Sequence, residues 1–254
     1  MEKIVSAHQP NFLPYLGFFD KMDKSDVFVI RDEVQFAERD YHHRNRIRIN
    51  GPRNNEPQCK WIRVPVTKEQ KHLRQITVRN EVKDKNVPWN IFMLRQIKSS
   101  YETAPFFSKY YPELEAILRV KTEKLIDLNM EIIKFLKRCF DINTEIVYAS
   151  QLDYDKTNDA SEDLVRIAKA LDADVYLSGV GGRAYLNHDS FSAAGVGLQF
   201  QSFTHPVYPQ RYAGFVPNLA AIDALFNVGN IFRKERTDRH YLEDATVASR
   251  VEVA

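Results

Sequence analysis

The sequence predicts an α/β protein with a mostly parallel, Rossmann-like sheet and a helical insertion. Three observations lead there. An apolar strand at 3–7, a helical stretch at 15–24 and "DVFVIR" at 26–31 follow one another in the order of a βαβ unit. The same alternation resumes at 144–203, after a run of helices. A length of 254 residues with 44% apolar content is enough to bury a large core.

Each element has its own reason. Lys3–Ala7 reads as a buried strand, and Asp26–Arg31 as a second one. The helix Tyr15–Lys24 starts just after Pro14, a residue tolerated at a helix entrance. Trp61–Val66 and Gln75–Arg79 alternate apolar and polar residues, so they are expected as strands and close an N-terminal α/β part at 1–87. Residues 88–140 are expected as a helical insertion or lid. There "WNIFMLRQIKSSY", "FFSKYYPELEAILR" and "KTEKLIDLNMEIIKFLKRCF" carry helical spacing, the last placing Leu125, Leu128, Ile132 and Leu136 on one face. Residues 141–254 complete the domain. "TEIVYASQL" is a strand, "NDASEDLVRIAKAL" a helix capped by Asp159 or Ser161, and "ADVYLSG" a strand ending at Ser178-Gly179. "VGLQFQSF" is a further strand, and a helix spans 218–227.

Composition narrows the function classes. With 36 basic and 34 acidic residues the net charge is +2, so nothing calls for nucleic acid or an anionic membrane surface as partner. Cys59 and Cys139 lack zinc-type spacing and suit a reducing compartment. There is no leader-like apolar segment and no run long enough to cross a membrane, so a cytoplasmic protein without membrane insertion is expected. HExxH, GxSxG and EF-hand patterns are absent, and no metal site is expected. The oligomeric state stays open, a homodimer included.

Four stretches carry candidate chemistry. In "DVYLSGVGGRAYL" a strand delivers Ser178 into a turn with Gly181 and Gly182, followed by Arg183 and Tyr185. Ligands of open α/β sheets bind beyond the carboxyl ends of strands, where a glycine-rich turn lets backbone N–H groups approach an anion. Arg183 adds a fork for phosphate or carboxylate. In "RDEVQFAERDYHHRNRIRING", 31–51, a basic loop around Arg44, Asn45 and Arg46 is expected to neutralise a diphosphate, while His42 and His43 lack the partners of a metal site. In "QSFTHPVYPQRYAGFVPNL" prolines stiffen a loop that presents His205, Tyr208 and Gln210. Imidazole titrates near neutrality, so His205 is a general acid–base candidate. Asp223, on an apolar helix face, requires a partner, expected as an arginine or backbone N–H groups. The fourth stretch is the proline-fixed turn "AHQPNFLPYLG", with His8, Gln9 and Asn11.

"AHQPNFLPYLGFFDKM", "DVFVIRDEVQF", "RNRI", "KWIRVPV", "YLSGVGGRAYL" and "PNLAAIDALFN", in this order over about 4–227, resemble the WbqC-like family. Where many members open on methionine-glutamine, this chain has His8-Gln9. The matched positions are Gln9, Pro10, Asn11, Pro14, Gly17 and Asp32, then Arg44, Asn45, Arg46, Gly181, Gly182 and Tyr185, and last Tyr208, Gln210 and Asp223. The resemblance implies a protein of surface-polysaccharide or O-antigen biosynthesis, acting on a nucleotide-linked or otherwise activated sugar by transferring an acyl or aminoacyl group to an amino sugar.

The expectation is therefore a transferase whose partner is a nucleotide-linked sugar or another phosphorylated small molecule. No cofactor is assigned beyond a nucleotide or nucleotide-activated donor. Gly181, Gly182, Arg183 and the Arg44-Asn45-Arg46 stretch hold phosphates, Gln9 and Asn11 orient hydroxyls, and Ser178, Tyr185, Tyr208 and Gln210 line the site. His205 or His8 moves a proton, with Asp32 grouped beside them. The alternatives are a nucleotidyltransferase-like enzyme, by analogy of architecture, and a non-catalytic nucleotide-sugar-binding protein.

Overall fold

The computed structural model describes residues 2–50, 58–67 and 71–232. Gly51, the end of the basic stretch, and residues 233–254 of the C-terminal segment lie outside them.

Strand β1 (Ile4–His8), helix α1 (Leu16–Asp23) and strand β2 (Val27–Ile30) form the expected βαβ unit, with Ala7 opposite Val29 in a parallel ladder. After β2 come an antiparallel hairpin of β3 (Arg44–Ile49) and β4 (Gln58–Arg63), and a two-residue ladder of β5 (Lys83–Asp84) with β6 (Val87–Pro88). Helices α2 (Trp89–Tyr101), α3 (Phe107–Arg119) and α4 (Leu125–Cys139) follow. Strand β7 (Glu145–Tyr148), helix α5 (Ala160–Ala170), strand β8 (Val175–Ser178), helix α6 (His188–Ala193), strand β9 (Gly197–Phe200) and helix α7 (Ile222–Val228) complete the order. Asp159 caps α5, its carboxylate accepting from the N–H groups of Ser161 and Glu162 at 2.8 Å.

The central sheet has the order β7-β2-β1-β8-β9, and every pairing in it is parallel. The fold is thus the α/β, Rossmann-like architecture expected from the sequence. The period-2 alternation of β2 divides the core. Phe28 and Ile30 face one apolar cluster with α1, α2, α3, α4 and α7, while Val27 and Val29 face a second with α5 and α6. The α4 stripe Leu125, Leu128, Ile132 and Leu136 is buried in the first cluster, so this helical segment shares its core with one face of the sheet.

Two expectations are corrected. The basic stretch at Arg44-Asn45-Arg46 is the start of strand β3, not a loop, because Asn45 and Ile47 turn inward while Trp61 on β4 covers the other side. Gln75–Arg79 is not a strand. Leu73–Gln75 closes a single 3₁₀ turn, and the following residues make only isolated bridges, Val66 to Val78 and Thr77 to Lys124.

Candidate functional site

β1 is where the chain reverses its winding: β2 and β7 lie on one side, β8 and β9 on the other. Open α/β sheets bind ligands in the crevice beyond the strand ends at such a point. A cleft of about 560 Å³ opens there, lined from the end of β1 by His8 and Gln9 and from the end of β8 by Ser178, Gly181 and Gly182. A second chamber of about 490 Å³ adjoins it, sharing His8, Gln9, Tyr15 and Asn218 and adding Asn11, Asp40, Tyr41 and Arg46. We refer to these as the proximal and distal chambers. A groove of similar size, about 580 Å³, lies between β4 and α2, and none of the candidate catalytic or binding residues lines it.

The turn between β1 and α1 is built to hold its shape. It has no strand or helix ladder to satisfy its backbone, so other elements do so. Asn129 of α4 donates to the carbonyls of Pro10, at 2.7 Å, and His42, at 2.8 Å. Asn45 donates to the carbonyl of Leu13 at 2.6 Å, and the Phe12 N–H reaches the Tyr41 carbonyl at 2.9 Å. Leu13 itself has φ +45°, a left-handed conformation fixed between Pro10 and Pro14. The Tyr15 ring then folds back over Gly17, where any β-carbon would sit 2.4 Å from the ring.

Within this frame the half-buried His8 ring lies edge-on to Phe18 and is bonded through Nδ1 to the Gln9 carbonyl at 2.9 Å. Burial, helped by nearby Lys21, pushes its pKa down to about 3, so His8 is neutral at physiological pH. The Gln9 amide has a fixed orientation. The Ala37 N–H donates to His42 Nδ1 at 3.2 Å, which leaves the proton on Nε2, and Nε2 donates to Gln9 Oε1 at 3.0 Å. The Gln9 NH₂ group is then the free end. In the distal chamber Asn11 is 7% exposed and its Oδ1 has no partner. Arg46 donates from Nη2 to the Asn218 carbonyl at 3.3 Å, and its buried Nε has no partner.

On the β8 side the glycine-containing segment closes as a 3₁₀ turn, Val180–Ala184. Gly182 packs against β8 so closely that a β-carbon would lie 2.1 Å from Ser178 Oγ, whereas Gly181 faces open space. Tyr185 stands at the rim, largely exposed.

The other expected residues are engaged elsewhere. Asp32 accepts from Ser150 N at 3.0 Å and Ser150 Oγ at 2.5 Å. Arg44 reaches the carbonyls of Arg39 and Asp40 and lies over Trp61 at 4.4 Å. Arg183 is exposed and rests on Phe200 at 5.1 Å. His205 bonds the Pro206 carbonyl at 2.9 Å within an aromatic cluster of Phe203, Tyr208 and Phe215. Burial pushes its pKa down, and it lines neither chamber. Tyr208 and Gln210 both donate to Asp223 at 2.8 Å, as does Tyr101. The buried Asp223 is therefore held by two phenols and an amide rather than by the expected arginine or backbone groups.

Several residues of the cleft were not anticipated: Lys21, Tyr15, Arg31, Tyr176, Gln201, Tyr41 and Asn218. Lys21 left a signal, because it lies three residues after Phe18 on the apolar face of α1, where a charge is out of place. Arg31 is paired with Glu33 at 2.5 Å and Asp163 at 2.6 Å. Among the described residues no group of histidine, cysteine or carboxylate side chains could hold a metal ion, and no helix is long and apolar enough to cross a membrane.

A model of the WbqC-like protein family matches residues 9–234. The chain is 27% identical over 229 residues to "Uncharacterized protein Rv1507c" of Mycobacterium tuberculosis (strain ATCC 25618 / H37Rv), covering 89% of this chain and 94% of that protein. No solved structure matches the chain.

Proposed function

The chain belongs to the WbqC-like protein family, and from that premise we propose that it is a transferase of surface-glycan biosynthesis, adding an acyl or aminoacyl group to a nucleotide-linked amino sugar. The observation that carries the reading is the pair of unpartnered buried polar atoms, Asn11 Oδ1 and Arg46 Nε, in the distal chamber. Buried polar groups are ordinarily hydrogen-bonded, and leaving one unmet costs about 1–3 kcal/mol. An acceptor and a charged donor lining one chamber suit a hydroxylated, negatively charged ligand. Two linked chambers on the order of the usual 300–1,000 Å³ ligand pocket suit a bipartite ligand.

In this reading the sugar occupies the distal chamber, and the phosphates lie in the proximal one near Ser178 and Gly181. Gln9, shared by both, meets an oxygen at the junction. Catalysis then rests mainly on orientation and on placed donors, which suits group transfer. His8 lines the cleft but, with its pKa pushed down to about 3, is a weak proton acceptor, and His205 lies outside the cleft.

Thermal-shift measurements with UDP-, GDP- and dTDP-linked amino sugars, combined with mass spectrometry of products, test this. Stabilisation of the wild type that is lost in Asn11→Ala and Arg46→Ala is expected. No response to any of these ligands would refute the proposal. Stabilisation without product, across acyl and aminoacyl donors, would leave a binding protein of the same pathway.

A further inference from the structure

Lys21 is, with Arg31, one of the two basic side chains that line the proximal chamber without having been singled out from the sequence. It projects from α1 toward the ends of β1 and β8 and is only 4% exposed. Its Nζ donates to the Ala7 carbonyl at 2.8 Å, and Phe28 lies beneath it with its ring centroid at 5.9 Å. A lysine in such a place ordinarily extends to water or meets a carboxylate. Among the described residues no carboxylate is within ion-pairing distance of Lys21. Asp20, next to it in sequence, faces Lys24 at 2.8 Å and Gln201 at 2.6 Å. The other cation of the chamber, Arg31, is already neutralised by Glu33 and Asp163.

The amine is also close to open ligand space. A β-carbon on Gly179 would lie 4.0 Å from Nζ, and Ser178 and Gly181 line the same chamber. An uncompensated amine, a hydroxyl and a glycine turn thus meet at the head of the cleft. The missing element is an anion.

We propose that Lys21 is the anion receptor of the proximal chamber, taking up a proton from solvent as a phosphate or diphosphate group enters and holding that group as a buried ion pair. The inference rests on the nucleotide-linked-sugar reading and deepens it by assigning the phosphate subsite. It also replaces Arg183 and Arg44, which lie outside the chamber.

The surroundings leave Lys21 as the group that responds near neutral pH. Burial lowers its pKa to about 7. His8 from β1 stays neutral, with its pKa at about 3. Burial raises the pKa values of Tyr15 and, from β8, Tyr176, so both remain uncharged. Arg31 stays charged and paired, and Tyr185 stands at the exposed rim. An anion beside Nζ favours the ammonium, so binding draws in a proton.

Calorimetric titration of the full chain at pH 8, in buffers of different ionisation enthalpy, reads this directly. The probes are inorganic sulfate and the UDP-, GDP- and dTDP-linked sugars, none of which titrates there. Uptake approaching one proton per ligand is expected in the wild type. Lys21→Met should weaken binding by about tenfold or more and abolish uptake, because a charge-assisted contact is lost. Lys21→Arg should bind without uptake, its charge being permanent. If neither variant folds, uptake in the wild type alone decides, since it must rise between pH 6 and 8. Binding without uptake would overturn the role of Lys21 and leave the nucleotide-sugar reading intact. Sulfate uptake with no nucleotide-sugar binding would do the reverse. No binding of any probe would overturn both.

Discussion

Lys21→Met should make the ligand-free protein more stable at pH 6 and less stable at pH 10. In an unfolded chain the amine titrates near 10.5, and in the fold its pKa falls to about 7. The unfolded state therefore binds the proton more tightly across this window, and stability rises as pH climbs from about 7 toward 10.5. At about 1.4 kcal/mol per pH unit, the displacement amounts to roughly 5 kcal/mol against the fold at low pH. Methionine keeps most of the stem but leaves the Ala7 carbonyl without its donor, a loss of about 1–3 kcal/mol. The net expectation is a gain of roughly 2–4 kcal/mol at pH 6. By pH 10 the native amine is uncharged and its penalty has shrunk to about 0.8 kcal/mol, so the lost hydrogen bond outweighs it and the sign reverses. Urea unfolding of both proteins at several pH values gives the difference directly, with other titrating groups cancelling between them. A variant that is destabilised at pH 6, or a difference that does not change with pH, would show that Lys21 is not a buried unpaired amine.

Three further outcomes follow from the packing. Gly182→Ala, whose β-carbon would meet Ser178 Oγ at 2.1 Å, should lose about 1–3 kcal/mol in thermal unfolding. Gly181→Ala, with open space around it, should unfold like the wild type, and equal effects from the two would contradict the turn geometry. Asp223→Ala strands two phenols and an amide, Tyr101, Tyr208 and Gln210. It should cost about 3–5 kcal/mol, and denaturant midpoints within experimental error of the wild type would refute the network. Asn129→Ala should cost about 2–4 kcal/mol through the two carbonyls it leaves unmet, and hydrogen exchange should quicken at Phe12 and its neighbours. Unchanged exchange there would mean that α4 does not hold the turn.

The fold could be read from local pattern because its core elements are regular. α2 and the β1–α1–β2 unit follow hydrophobic periodicity closely, and Asp159 is the cap its position suggests. The site was less readable. Gln9, Asn11, Arg46, Ser178 and the two glycines do line the cleft, since turns at strand ends face ligand space in this architecture. Asn45, Asp32, Tyr208 and Gln210 have the same chemical types, but long-range partners that periodicity cannot show take up their polar atoms. Lys21 was passed over for a different reason. Its place on the apolar face of α1 is visible in the sequence, but a lysine on a short helix reads by default as a solvated charge, and only the approach of β8 encloses it.

The His42–Gln9 hydrogen bond has a consequence for selectivity. Because Ala37 claims Nδ1 of His42, the imidazole can only give its remaining hydrogen to the Gln9 carbonyl oxygen. The amide therefore turns two hydrogens, and no lone pair, toward the junction of the chambers. A substrate atom placed there must offer electrons: a hydroxyl, ether or phosphoryl oxygen is welcome, and an ammonium is turned away. Burial lowers the His42 pKa, which favours the neutral ring and this polarity. Any ligand that carries both an ammonium and an oxygen would thus be sorted end for end, with its nitrogen directed away from Gln9.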